Sequence, residues 1–187
     1  MSSPNVSLPD WQLFLSELDA VLTEPTWLHC IGGFVVTQVY GFDRPTADLD
    51  VVEIAPLRER ESLLELAGKG SDLMRRASLY LDYVGVSSLP EEYESRLTEI
   101  YPGRYKNLRL LTIEAHDLAL TKLGRDSPKD RTDVRHLAVS VPLNEDTLRE
   151  RYQTELRWML TGDPKWIDSI LELWIGMIRE AQAAAPR

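Results

Sequence analysis

The stretch IGGFVVTQVYGFDRPTADLDVV, Ile31 to Val52, decides how the chain is to be folded. Its glycine pair, Gly32-Gly33, stands between an apolar run, Trp27 to Ile31, and a helical segment, Phe34 to Tyr40, that Gly41 can stop. Ala47 to Ile54 then alternates as a strand. The order is strand, glycine turn, helix, strand. Successive strand side chains point to opposite faces, so Asp48 and Asp50 project together while Ala47, Leu49 and Val51 turn into a core. Two carboxylates side by side repel unless a cation or a donor cluster accompanies them. Mg²⁺ suits such a pair, because it prefers oxygen ligands, keeps several waters and typically uses one or two carboxylates plus substrate phosphates. An acidic chain also produces Asp-x-Asp by composition alone. At Gly32-Gly33 the bare backbone can approach a phosphate, and free helix N–H groups can bind it. A tight turn explains the glycines equally well.

Working outward, Trp11, Phe14, Leu15, Leu18 and Leu22 recur at helical spacing and predict a first helix over Pro9 to Thr23, separated by Pro25 from the strand that follows. Glu59 to Ala77 is expected to be helical with a break at Gly68 and Gly70, Leu79 to Val86 a strand, and Leu108 to Ile113 another. Asp82 lies within the strand LYLDYVGV, opposite in direction to Leu81 and Tyr83. A mid-strand charge among large apolar neighbours is costly unless paired, bound to a cation or exposed on an edge. From Glu114 to Ala184 the periodicity is helical only, with breaks near Ser127-Pro128, Pro142 and Gly162-Asp163-Pro164. In the last helix Trp166, Ile170, Trp174 and Met177 form an apolar stripe, expected to pack into the core, with a partner surface as the lesser alternative. The fold class is therefore α+β (α/β mixed): a small mixed sheet flanked by helices over residues 1–113, then a helical C-terminal subdomain, 114–187, expected to complete an active-site cleft.

Composition narrows the classes. At 187 residues, with 43% hydrophobic and 27% charged, the chain has the profile of one ordinary globular protein. Its 21 Lys and Arg against 30 Asp and Glu give −9, which repels phosphate backbones and anionic lipid, so any nucleic-acid contact must be local. One cysteine, Cys30, excludes an internal disulfide, and with no signal-like N-terminus a cytoplasmic location is expected. The apolar run Ile170 to Ile178 is too short to span a bilayer and is interrupted by Glu172, so no membrane partner is expected.

A second constellation is TIEAHDLALTKLGRDSPKDRTDVRHLA, Thr112 to Ala138. Lys122 falls on the inward stripe with Ala115, Leu118, Ala119 and Leu123, so it either snorkels to solvent or extends into an anion pocket. Ser127-Pro128-Lys129-Asp130 reads as a capping-box start, which makes Asp130 structural. Lys129, Asp133 and His136 follow along one face as a candidate site wall.

Together these parts resemble the nucleotidyltransferase (DNA polymerase β-like) superfamily: Gly-Gly, here 14 residues from Phe34 to Ala47, Asp-x-Asp, and a later lone acidic residue on another strand. Arg44 and Thr46, in RPTADLD, are similar to the R-x-T-x-D-x-D variant of the AbiEii-type toxin branch, and the Thr112–Ala138 stretch resembles that branch's "E-D-L-x-x-x-K" and "R-x-K-D-x-x-D" helices, departing at His116. The resemblance covers Trp27 to Ala138 and implies a nucleotidyltransferase fold. It implies that Asp48, Asp50 and Asp82 ligate two Mg²⁺ (or Mn²⁺) ions, and that Gly32 and Gly33, with Arg44 and Thr46, hold an NTP. It further implies that Lys122 contacts the triphosphate, that Lys129 and Arg131 assist, and that Asp133 is a further functional carboxylate. The expected activity is metal-dependent transfer of NMP to an acceptor, with Asp50 or Asp133 as the base. The toxin branch suggests a tRNA end or a partner protein as acceptor, and a cognate antitoxin. Lys122, Arg125, Lys129, Arg131 and Arg135 could guide one RNA end or serve only the NTP. The alternatives are an aminoglycoside-type cationic small molecule as acceptor, or a non-catalytic protein of the same fold that binds nucleotide or a partner.

Overall fold

The computed structural model describes residues 8–85 and 88–185. The chain folds as two compact units, Met1–Val86 with Leu97–Ile113, and Ser87–Arg96 with Glu114–Arg187. The first unit holds α1 (Leu8–Val21), β1 (Thr26–Ile31), α2 (Gly32–Gln38), β2 (Asp48–Ala55), α3 (Glu59–Ala67), α4 (Asp72–Ala77), β3 (Tyr80–Tyr83), β4 (Thr98–Ile100) and β5 (Leu108–Thr112). Its five strands run in the order β3-β2-β1-β5-β4. Successive pairs across the sheet alternate in sense: β2–β3 and β1–β5 are parallel, β1–β2 and β4–β5 antiparallel. The expected small mixed sheet flanked by helices is therefore present.

The N-terminal helix follows the sequence pattern. Trp11, Phe14, Leu15, Leu18 and Leu22 are all buried, and Trp11 meets Phe14 and Phe34 edge to face. Asp19 on the same helix accepts backbone N–H bonds from Lys106, Asn107 and Leu108 at 3.0, 2.7 and 2.8 Å, which fixes where β5 begins. Burial pushes its carboxyl up, but those three bonds outweigh it and hold the pKa below the usual carboxylate value.

The first unit departs from the sequence reading at three points. The third strand is shorter than Leu79 to Val86, ending at Tyr83, and Val86 lies outside the described residues. β4 has no counterpart in the sequence reading; at three residues it offers no alternation long enough to detect. Ala47 is only half-buried, and Thr46 beside it is buried instead. Along β2 the inward set is Leu49, Val51 and Ile54, because a bulge opposite His29/Cys30 inserts one residue and resets the alternation. Asp48 and Asp50 sit on the site side of that bulge, and Glu53 is kept out of the core.

The second unit holds α5 (Ala115–Leu120), α6 (Pro128–Ser140), α7 (Glu145–Arg151), a π-helical turn at Tyr152–Leu156 and α8 (Pro164–Ala184), with a 3₁₀ turn at Tyr93–Arg96. Ser127 and Asp130 form the expected capping box, and Asp163 caps α8 ahead of Pro164. The α8 stripe is rotated from expectation: Ile167, Leu171, Trp174, Ile175, Met177 and Ile178 are buried, whereas Trp166 is exposed. Trp166 falls in the first turn, where Asp163-Pro164 sets the helix entry. Among the described residues no helix is long and apolar enough to cross a membrane.

Asp117, fully buried, is met by two guanidiniums: Arg96 Nε at 2.7 Å and Arg151 Nη1 at 2.8 Å. Arg96 also reaches Glu155 at 2.6 Å, and Arg151 reaches Glu114 at 2.6 Å. This network is why Arg96 folds with the helical unit although Thr98 belongs to the sheet. Burial raises the Glu114 carboxyl, but His116 and Arg151 reverse this and bring it down to about 2. The folded value lies below the unfolded value of about 4.3, so this stabilisation is full above pH 4–5 and is lost as pH falls towards 2. Urea midpoints measured from pH 7 down to 2.5 are expected to fall more steeply for the wild type than for Glu114→Gln. Asp19→Ala is expected to lower stability by roughly 1–3 kcal/mol in the same assay at pH 7, since three backbone donors lose their acceptor.

Candidate functional site

The first unit gathers its polar residues on one face at the junction of β1, α2, β2 and β3. β1 runs into α2 without a loop, and Gly32 makes the switch at φ +71°, a conformation that side chains disfavour. A second constraint acts there. A Cβ on Gly32 would lie 1.9 Å from Asp50 Oδ2, and one on Gly33 would lie 2.6 Å from Thr46 Oγ1 and 3.0 Å from an Arg44 guanidinium nitrogen. The glycine pair and the R-x-T-x-D-x-D stretch are thus a single packed unit, with the side chains of β2 and its approach seated on bare backbone.

The carboxylates follow from strand register. Leu49 and Val51 are fully buried while Asp48 and Asp50 are half-buried on the other face, as the alternation predicts. In the parallel β2–β3 pair Asp50 stands opposite Asp82 and Asp48 opposite Tyr80. Asp50 is also opposite Ile31, the residue before the glycines. Gly32, Gly33, Arg44, Thr46, Asp48, Asp50 and Asp82 therefore come together on one face of the sheet.

Donors attend these acids. Thr46 Oγ1 donates to Asp48 Oδ1 at 2.6 Å, and Lys69 Nζ donates to Asp82 Oδ2 at 3.0 Å. The Lys69 ammonium lies 5.1 Å from the centre of the Tyr80 ring. Burial, then the Asp48 carboxylate, pushes the Tyr80 phenol up, with Asp82 and Asp50 adding to it and Lys69 opposing. Cys30, buried beneath this face, is pushed up by burial and then by Asp50, so its thiol stays protonated. Three hard oxygen donors on one face fit Mg²⁺ or Mn²⁺ in chemistry. Among the described residues no three of His, Cys, Asp and Glu are drawn close enough to enclose an ion by themselves.

The remaining expected residues lie in the second unit. Lys122 points inward, as its stripe predicts, and is 2% exposed; its ammonium is taken up by Asp133 at 2.9 Å and Asp130 at 3.6 Å. Asp133 is fully buried and Lys129 is exposed, so the two do not share the single wall expected from their spacing. Arg131 Nε binds Asp126 at 2.7 Å, and Arg125 binds Asp130 at 2.8 Å, which offsets much of the local basic cluster. His116, at the start of α5, accepts the Asn144 N–H at 2.8 Å through Nε2, leaving Nδ1–H to donate to Glu114. Sequence reading missed Lys69 and Tyr80. The signal for the first was a lysine flanked by Gly68 and Gly70 shortly before the strand that carries Asp82.

Comparison with known proteins agrees with the arrangement. No curated protein and no solved structure matched the chain. One family model, described as a nucleotidyltransferase of unknown function (DUF6036), matches residues 14–172. The match supports the superfamily and does not extend to the toxin branch. Because it spans most of the chain, from α1 into α8, and includes the whole carboxylate face, the chain belongs to this family of nucleotidyltransferases.

Proposed function

We propose that this protein transfers an NMP group from an NTP to an acceptor hydroxyl with the help of divalent cations. The observation that carries the reading is the register that sets Asp82 opposite Asp50 on the face packed against the Gly32-Gly33 turn. In the reaction the acceptor oxygen bonds to the α-phosphorus, the bond from that phosphorus to the bridging oxygen breaks, and pyrophosphate leaves with the electron pair. Asp48, Asp50 and Asp82 would hold Mg²⁺ or Mn²⁺, which neutralises charge on the reacting phosphates and acidifies the acceptor hydroxyl. Of the two carboxylates considered as base, Asp50 is better suited: it is half-buried on the polar face, whereas Asp133 is fully buried against Lys122. We assign Lys122 and Asp133 to the interior of the helical unit, and the phosphate-facing charge to Arg44 beside Gly33. Asp50, Thr46 and Arg44 are preorganised by their seats on the glycine turn, so little reorganisation is needed when phosphate arrives.

The acceptor class follows from charge. With −9 overall, and Arg125 and Arg131 paired to acids, broad RNA affinity is disfavoured, and a cationic small molecule or a single tRNA end or protein hydroxyl remains the acceptor to test. A second reading, nucleotide binding without turnover, is favoured by the donors already on Asp48 and Asp82. Incubation with α-labelled NTPs, Mg²⁺ and separate tRNA, protein and small-molecule fractions is expected to label one fraction. Asp48→Asn should cut that labelling by about a hundredfold or more, since a charge-neutralising ligand is lost. Equal labelling by wild type and variant would overturn the reading, and tight NTP binding by calorimetry without label transfer would select the second. Gly33→Ala is expected to weaken NTP binding by about tenfold or more, because its Cβ displaces Thr46 and Arg44.

A further inference from the structure

Lys69 is placed on the carboxylate face by a turn with no slack. α3 ends at Ala67, and a Cβ on Gly68 would stand 2.4 Å from the Leu64 carbonyl oxygen, so only glycine lets the chain leave the helix there. Gly70 follows at φ +85°, and its carbonyl accepts from Arg75 while its N–H donates to Met74 Sδ at 3.1 Å. Between two glycines whose backbone is fixed in this way, Lys69 stands at the apex of the α3–α4 turn. Its ammonium reaches Asp82 at 3.0 Å over the Tyr80 ring, beside the strand partners of both Asp50 and Asp48.

The pair is shallow. The Lys69 side chain is 63% exposed and that of Asp82 34%, and ion pairs of this kind are among the weakest in proteins. It contrasts with Lys122, which is 2% exposed between Asp133 and Asp130 and has no low-cost alternative partner. The chain thus holds one lysine locked inside and another held lightly on the acidic face.

Resting on the nucleotidyl-transfer reading, we propose that Lys69 is an exchangeable counter-ion of the site. Without a divalent cation it neutralises Asp82; when Asp82 is needed as a ligand, Lys69 releases it and turns to a phosphate oxygen of the nucleotide. Its flexible four-carbon stem allows both positions from one backbone. The exchange gives Asp82 a positive partner in both states and couples cation entry to phosphate binding.

Lys69→Met tests this by Mn²⁺ binding, followed by electron paramagnetic resonance, and by binding of inorganic tripolyphosphate in the presence of Mn²⁺. Circular dichroism and thermal melting confirm folding, which the exposure of Lys69 should preserve. Lys69→Met is expected to bind Mn²⁺ about three- to tenfold more tightly than wild type, because a competitor for Asp82 is gone, and tripolyphosphate about tenfold more weakly. Lys69→Arg should stay near wild type on both, and in an Asp82→Asn background Lys69→Met should no longer alter Mn²⁺ affinity. An unchanged affinity for either probe in Lys69→Met, with Mn²⁺ bound by wild type and lost in Asp48→Asn, overturns the role of Lys69 alone. Absence of Mn²⁺ binding to wild type overturns both this proposal and the nucleotidyl-transfer reading.

Discussion

No Cβ can stand where Asp50 Oδ2 and Thr46 Oγ1 approach the β1–α2 junction, and the geometry of the site depends on this exclusion. Gly32 and Gly33 bring the start of α2 against the polar face of β2 closely enough for side chains from one to rest on the backbone of the other. A side chain at either glycine would push the Asp50 carboxylate, or the Thr46 and Arg44 side chains, off their seats on the turn, while the strand register that sets Asp50 against both Ile31 and Asp82 supplies the rest of the arrangement. The spacing between the glycines and the aspartates is then a matter of chain length. Phe34 to Ala47 must form a short helix, reverse direction and return as β2 antiparallel to β1, the strand just left.

The two units treat charge differently. On the carboxylate face Asp48, Asp50 and Asp82 are half-exposed and met by a hydroxyl and an exposed ammonium. In the helical unit Asp117, Asp130 and Asp133 are buried and met by Arg96, Arg151, Arg125 and Lys122. Buried pairs of the second kind contribute little net stability against their desolvation, but removing one partner leaves an uncompensated charge, so they specify one arrangement. Half-exposed acids are the opposite: they tolerate a change of partner, which the proposed exchange between Lys69 and a cation requires.

The sequence made β1, the glycine turn, β2 and the two-aspartate face legible, because each rests on local physics: period-two alternation, glycine at a strand-to-helix switch, and a gap long enough for one helix. It made Lys122 legible as an inward lysine but not its partners, since Asp130 and Asp133 reach it only through the packing of α5 and α6. The bulge in β2 was hidden because Val51, Val52 and Ile54 are all apolar, and only the pairing with His29 and Cys30 tells which of them faces the core. Trp166 was assigned inward by spacing alone; near a helix terminus periodicity has no neighbour on one side to fix its phase. Lys69 carried no period and belonged to no motif. Its meaning comes from β3 lying beside β2, a pairing between segments far apart in the chain.

The net charge of −9 acquires a local interpretation from this arrangement. Composition alone argues that the surface repels phosphate, and the pairing of Arg125 and Arg131 with acids strengthens the argument for the helical unit. On the sheet the same sign works the other way, because acids there create a demand for cations that a lightly held lysine meets only in part. A face of three carboxylates with one exposed ammonium and the Arg44 guanidinium beside Gly33 can still gain positive charge, and under the proposed reading a nucleotide arriving with its cations would deliver that charge to the carboxylates while its own phosphates are already offset. Under the proposed reading, repulsion of bare polyanions and acceptance of a cation-loaded nucleotide would be two consequences of one distribution of carboxylates, with Arg44 and Lys69 left to meet the phosphates.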